Sequence, residues 1–331
     1  MQTREQKQDM LDIFGNIKGI GELDYVGAWY RKCAEMMQVN PNIRAALVST
    51  NSITQGEQVA GIWKPLYERY NIHIDFAYPT FRWDSESSLK AHVHCVIIGF
   101  SATSGIAQRS GQSGISVPRL YLPDGTYKPC TNINAYLVDG PNAFIDSISK
   151  PLCDVPKMVT GNRPADGGHL IIEGEDYEDF ITREPDALPY IKKLTGAMEY
   201  INNKPRYCLW LKDISPTQLK VMPLVYERVR LCKEDREQAP DPGRQKLAAT
   251  PHLFREQNNP ESYVIVPATS SENRRYIPLG FLGADTIPTN SAIIIPSATL
   301  YHFGVLTSNV HMSWMRAVCG RLEMRYRYSK D

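Results

Sequence analysis

From Leu23 to Phe100 the chain alternates segments of helical period with short apolar runs, and such an alternation buries its apolar surface by packing helices against a sheet. Leu23, Val26, Trp29, Tyr30, Cys33 and Met37 recur at three- and four-residue steps, which predicts an amphipathic helix over 23–38. Ile43 to Val48 reads as a strand covered on both faces. Ser52 or Thr54 is placed to cap the next helix, where Val59, Ile62, Trp63 and Leu66 line one side as far as Tyr70. Ile72–Tyr78 and Val93–Phe100 give two further strands, joined by a polar link, Phe81 to Ser87, that carries two aromatic residues. The order helix, strand, helix, strand, strand without a second long crossover predicts the closing edge of an α/β sheet, ending in an antiparallel pair. The segment before it contains no strand running into a glycine-rich turn, and the cluster Gly15–Gly21 does not match GxGxxG.

The character changes after residue 100. Ser101–Ser116 is rich in serine and glycine, and Arg119–Lys128 reads as a hairpin across a Pro-Asp-Gly turn. Tyr136–Lys150 looks like a connector and Gly161–Gly168 is turn-rich. An acidic helical stretch, Glu173–Leu194, then precedes a basic region punctuated by aromatics. The expected division is therefore 1–105 as part of an α/β domain, 106–135 as a connecting hairpin and linker, and 136–331 as an α+β domain. The 331 residues suffice for two or three domains. Residues 201–331 carry 18 Lys and Arg against 12 Asp and Glu, so the modest positive excess of the chain lies there, on the side suited to a polyanion.

No apolar run approaches the roughly 20 residues of a membrane span, and no signal-peptide core follows Met1, so a cytoplasmic protein is expected. The seven cysteines show no CxxC pair and read as reduced core thiols. His92 and His94 alternate with Cys95 beside them, but neighbouring strand positions face opposite ways, and a packed pair is expected rather than a metal site. GxSxG, HExxH and GxxxxGK[ST] are all absent, which leaves hydrolase and P-loop readings without a motif.

Four segments have the residues for chemistry. Ser49–Gln58, with Asn51, follows a predicted strand at its carboxyl end, where open sheets bind ligands; a turn whose hydroxyls cap a helix accounts for the same residues. Phe81 and Trp83 place rings where an extruded base would stack, although rings at a strand end are also ordinary core. Ser271, Glu272, Asn273, Arg274 and Arg275 put hydroxyl, carboxylate, amide and guanidinium groups on one loop suited to phosphates and base edges, or simply to solvent. At the end of the chain, Arg321, Glu323, Arg325 and Arg327 share one face if the segment is extended, giving a ribbon able to contact DNA.

At these residues the sequence resembles a family. Leu23-Asp24-Tyr25-Val26-Gly27-Ala28-Trp29-Tyr30, Ser49–Val59, Phe81-Arg82-Trp83, Val96–Phe100, Val138-Asp139-Gly140-Pro141-Asn142, Arg206–Leu211, Ser271–Pro278 and Gly320–Ser329 look, in order, like the MmeI-like (type IIL) restriction–modification enzymes. The resemblance covers nearly the whole chain. It implies the second half of a class I, Rossmann-like methyltransferase domain, followed by a DNA target recognition domain. The implied activity is methylation of adenine N6 in double-stranded DNA, with S-adenosylmethionine as donor. It also implies that Phe81, Trp83 and Asn51 belong to the pocket for the extruded base. Glu323 and Arg325 match a coupled pair that reads one base pair. The family's Asp-Pro-x-x-Gly-Ser-Gly donor motif and its Asn-Pro-Pro-Tyr/Phe tetrapeptide are absent, and Tyr78-Pro79 departs from a more usual His-Arg. The expectation is a chain inactive by itself, which acts with a missing N-terminal methyltransferase half or another subunit. The alternative is a DNA-binding specificity module with no catalysis of its own.

Overall fold

The computed structural model describes residues 2–17, 19–84, 92–102, 117–148 and 150–330. They divide into two compact units, one of Met1–Ile148 with Trp314–Arg325, the other of Ser149–Ser313 with Tyr326–Asp331. The hairpin expected in a connector, and residues 136–148 after it, thus cluster with the first unit rather than separately. Most of the Ser/Gly-rich segment lies outside the described residues.

In the first unit, helix α1 (Arg4–Phe14) is capped by Thr3, whose hydroxyl accepts the Gln6 amide while the Gln6 side chain accepts the Thr3 amide. Helix α2 (Gly27–Val39) buries Tyr30, Ala34 and Met37, the inner stripe of the expected amphipathic helix, and leaves Trp29 exposed. Strand β1 (Arg44–Thr50) leads into a short 3-10 turn, Asn51–Thr54, and then into helix α3 (Gly56–Tyr70). Val59, Ile62, Trp63 and Leu66 on α3 are fully buried, as their spacing requires. Strand β2 (Ile72–Asp84) and strand β3 (His92–Ala102) form the expected antiparallel pair, and β4 (Arg119–Tyr121) and β5 (Tyr127–Pro129) form the expected hairpin. The hairpin is no linker: β4 pairs in parallel with β2 and extends the sheet to the order β1-β3-β2-β4-β5.

Two expectations for this sheet are corrected. β1 is an edge strand with β3 as its neighbour, and its alternate residues are solvated, so it is not covered on both faces. β2 does not stop at Tyr78; after a register shift between Tyr78 and Phe81 it carries Phe81, Arg82 and Trp83 as strand residues paired with Cys95, His94 and Val93. Gly99 faces Phe76, whose ring crosses the glycine so closely that a Cβ there would lie 2.1 Å from Cε1. The core of this unit centres on Trp63, Tyr30 and Phe100, with Tyr30 stacked on Phe100 at 5.4 Å.

The second unit begins with β6 (Val159–Thr160) and β7 (Ile171–Glu173). The acidic stretch predicted as one helix is broken at Pro185 into α4 (Tyr177–Arg183), a 3-10 turn and β8 (Ile191–Thr195). Then follow α5 (Ala197–Asn202), β9 (Arg206–Leu209), α6 (Pro216–Lys220), α7 (Pro223–Glu237), α8 (Pro242–Lys246), β10 (Ser262–Pro267), β11 (Thr269–Ser270), β12 (Gly280–Gly283), β13 (Thr286–Pro288), β14 (Ala292–Pro296) and α9 (Leu300–Leu306). β12-β10-β14-β6 is wholly antiparallel, whereas β13 joins β8 in parallel at the margin of β13-β8-β9-β7. This is the mixed α+β layout expected. Fully buried Arg236 on α7 donates from its guanidinium to the carbonyls of Pro164, Ala165, Leu247, Thr250 and Leu253 at 2.8–3.0 Å, fastening two irregular segments to the helix. After α10 (Asn309–Val318), strands β15 (Gly320–Leu322) and β16 (Arg325–Arg327) end the chain. No helix among the described residues is long and apolar enough to cross a membrane.

Candidate nucleic-acid interface

Asn51 opens the 3-10 turn after β1. It is nearly buried, and its amide reaches the Thr80 hydroxyl on β2 over a long 3.4 Å. The turn is fixed from beneath by the buried Trp63 indole, which donates to the Ile53 carbonyl at 2.9 Å. Neither Ser52 nor Thr54 caps α3, contrary to expectation. Ser52 donates to Asp24, Thr54 donates to the Asn51 carbonyl at 2.8 Å, and the N-cap position falls to Gln55. The hydroxyls are consumed in shaping the turn that presents Asn51. Behind it, Ser49 and Tyr30 share a buried hydroxyl contact of 2.9 Å, and burial pushes the Tyr30 phenol up to about 12.

Asn51 lines a cavity of about 280 Å³ within the first unit, together with Thr80, Gln55, Tyr136, Arg316 and Arg321. Sequence reasoning singled out Asn51 and Arg321 but had no signal for Tyr136 or Arg316, because the chain distance between them hides the shared wall. Phe81 and Trp83 do not line it. Two residues apart on β2, they stand on one side of the strand with ring centres 6.1 Å apart, and Trp83 is 51% exposed.

The end of the chain is not one extended ribbon, so the four charged residues do not share a continuous face. Glu323 adopts φ +60°, which turns β15 back into β16. Arg321 is drawn into this turn, donating to the carbonyls of Arg316 and Met324 at 3.1 and 3.0 Å. Arg325 and Glu323 form an exposed ion pair at 3.1 Å, so the two residues matched to a coupled pair are in contact. On β16, Arg325 and Arg327 are exposed and Tyr326 between them is buried.

In the second unit Arg327 pairs with Thr269 and Tyr326 with Ser270, so that Tyr326 lies opposite the residue before the loop Ser271–Arg275. That loop leaves β11 as predicted. Asn273 and Arg274 are tied into turns by the Ser271 hydroxyl and carbonyl, and the Arg275 guanidinium lies 5.4 Å over the Tyr276 ring. Among the described residues no cluster of His, Cys, Asp and Glu is arranged to hold a metal. All seven cysteines are unbridged.

Comparison with known proteins covers both parts of the chain. Residues 139–331 match the family model "MmeI, target recognition domain", and residues 1–110 match "MmeI, DNA-methyltransferase domain". DNA methyltransferase A of Bacillus subtilis (strain 168) is 43% identical over 329 residues, 99% of this chain and 36% of that protein. The solved structure of the Type IIL restriction–modification enzyme MmeI in complex with DNA superposes with a TM-score of 0.89 at 41% identity, over 99% of this chain and 43% of that one. The chain thus spans less than half the length of these relatives. With a target recognition domain matched over more than half its residues, the chain belongs to the MmeI family.

Proposed function

We propose that the chain is the target-reading part of an adenine-N6 DNA methyltransferase of a restriction–modification system, and that its first unit supplies one wall of the pocket for the extruded adenine. The observation that carries this reading is the turn at the end of the chain. Glu323 and Arg325 touch each other on a solvated hairpin, and Arg325 and Arg327 project from the exposed side of a strand anchored by Tyr326. A guanidinium there is matched to guanine O6 and N7, and the carboxylate to cytosine N4. Ser271, Glu272, Asn273, Arg274 and Arg275 supply phosphate and base-edge contacts in the same reading, with Arg321 and Arg327. Asn51, Phe81 and Trp83 contribute the amide and the rings against which a flipped base rests. In this assignment residues 1–105 are methyltransferase and 136–331 recognition domain.

S-adenosylmethionine is the donor such chemistry uses. The cavity around Asn51 does not fit it: among the described residues no carboxylate lines the space to hold ribose hydroxyls or to face a sulfonium, and two guanidiniums do line it. The Asp-Pro-x-x-Gly-Ser-Gly and Asn-Pro-Pro-Tyr/Phe strings are likewise absent from the sequence. Methyl transfer is therefore assigned to no residue of this chain, and the specificity-module reading stands beside the first. Radiolabelled donor and duplex DNA separate them, since transfer by the purified chain requires a donor site within it, whereas salt-sensitive binding without transfer requires only recognition.

The recognition assignment is tested by the double exchange Glu323→Lys with Arg325→Asp in the intact protein, read by selection of bound duplexes from a random pool. The expected outcome is a changed preference at one base pair, by about 1–3 kcal/mol. An unchanged preferred sequence refutes the assignment.

A further inference from the structure

The segment Cys130–Asn142 is braced by its own side chains together with backbone hydrogen bonds such as Asn134 to Val138 and Gly140 to Asn132. The Asn134 carboxamide oxygen accepts from the amides of Tyr136 and Val138 at 3.0 and 3.2 Å, and its nitrogen donates to the Pro141 carbonyl. Asn132 donates to the Gly140 carbonyl and to Asn142, while Asp139 accepts the Thr131 amide and pairs with Lys128 at 3.2 Å. The loop forces Leu137 into φ +56°, an unfavourable conformation for a leucine. What this rigid frame delivers is Tyr136 and Leu137 to the wall of the Asn51 cavity. The Tyr136 hydroxyl is buried, and its proton has no acceptor among the described residues; the Ile145 amide is the backbone group beside its oxygen. A buried hydroxyl left without an acceptor is costly unless a ligand supplies one. The other polar groups around the space are the amides of Asn51 and Gln55, the Thr80 hydroxyl and the guanidiniums of Arg316 and Arg321. Among the described residues this lining is rich in donors, carries two guanidiniums and offers no carboxylate.

We propose that this cavity seats one phosphodiester group of a bound DNA strand, with Tyr136 donating to a non-bridging oxygen and Arg316 supplying the charge. Arg321, besides the DNA contact proposed for it, holds the segment that bears Arg316 through the Arg316 carbonyl. The assignment deepens the DNA-binding reading and rests on it, but it concerns a sequence-independent contact rather than base readout.

The test measures binding of the full chain to two duplexes of unrelated sequence by fluorescence anisotropy, from about 50 to 200 mM salt. Arg316→Gln is expected to weaken both equally and to reduce the slope of log K against log salt by about 1. Tyr136→Phe, which removes only a neutral donor, is expected to weaken binding about 5- to 10-fold with the slope unchanged. Replacing single phosphates by neutral methylphosphonates should reveal one linkage whose loss weakens the wild type but no longer affects Arg316→Gln, a coupling that a merely destabilised variant would not show. Wild-type affinity and slope in both variants overturn the proposal and leave DNA binding intact, whereas a wild type that binds neither duplex overturns the underlying reading too. Inorganic phosphate that raises the wild-type Tm but does not compete with DNA would make the cavity a free-anion site, and also overturns the assignment.

Discussion

Arg236 offers the sharpest test of how the second unit holds together. It is fully buried and makes five hydrogen bonds of 2.8–3.0 Å, all to backbone carbonyls, in segments that have little regular structure of their own. A guanidinium offers five N–H donors in a fixed plane, whereas the ammonium of Arg236→Lys offers three from one atom. At least two carbonyls then lose their partner, at about 1–3 kcal/mol each, and the buried charge keeps an incomplete shell. The expected loss is about 4 kcal/mol, a large part of a typical domain stability of about 5–15 kcal/mol, and equivalent to a fall in Tm of about 10 °C. The assay follows from the placement of the tryptophans: Trp210 belongs to the second unit and Trp63 to the core of the first. In protein labelled with 5-fluorotryptophan, urea unfolding followed by 19F NMR should show the Trp210 transition moved to lower urea and the Trp63 transition in place. A loss below about 1 kcal/mol at Trp210 would refute the argument, and so would an equal shift of both signals.

Gly99→Ala should cost about 1–3 kcal/mol by driving a methyl into the Phe76 ring, and Phe76→Leu in the same chain should recover part of it in thermal melts; additive losses would count against the contact. Trp83→Ala should leave stability within about 0.5 kcal/mol, because half of the indole is in solvent, yet weaken binding to a duplex carrying a flippable 2-aminopurine by about 1–3 kcal/mol. His252 and His311 are both held below the ordinary histidine value of 6.5 by burial. The unfolded chain therefore takes up these protons first, and the stability they contribute, complete above pH about 6.5, falls as the pH drops below it. The Tm of the second unit should decline there, and the double variant His252→Gln, His311→Gln should flatten that decline.

Segments with a strong period were legible in the sequence. The α3 stripe of Val59, Ile62, Trp63 and Leu66, the β2–β3 pair and the Pro-Asp-Gly hairpin follow from local spacing and turn chemistry alone. What stayed hidden was pairing at a distance. The apolar run of β1 is compatible with a covered strand or an edge, and only its position beside β3 decides the matter. Phe81 and Trp83 look like loop residues because Pro79 interrupts the pattern, but a register shift absorbs the proline and the strand continues. The candidate site behaved in the same way. Single residues such as Asn51 and Arg325 stood out by type, whereas Tyr136 and Arg316 carry no motif and meet Asn51 only in the folded unit. The charged periodicity after Gly320 is compatible with one extended ribbon, and nothing local announces the left-handed glutamate at position 323 that turns it back.

If the terminal hairpin reads the target as proposed, its build bears on how such proteins change their targets. One tyrosine ring moors its last strand, and the side chains that flank it hang in water, so exchanging them disturbs almost no packing. A glutamate already held at a positive backbone angle gives way to a lysine or an aspartate at little extra conformational expense. On the proposed reading of the hairpin, new specificities lie within reach of two-codon steps that the rest of the molecule scarcely notices, and lineages built on this plan should diverge in what they recognise long before they diverge in shape.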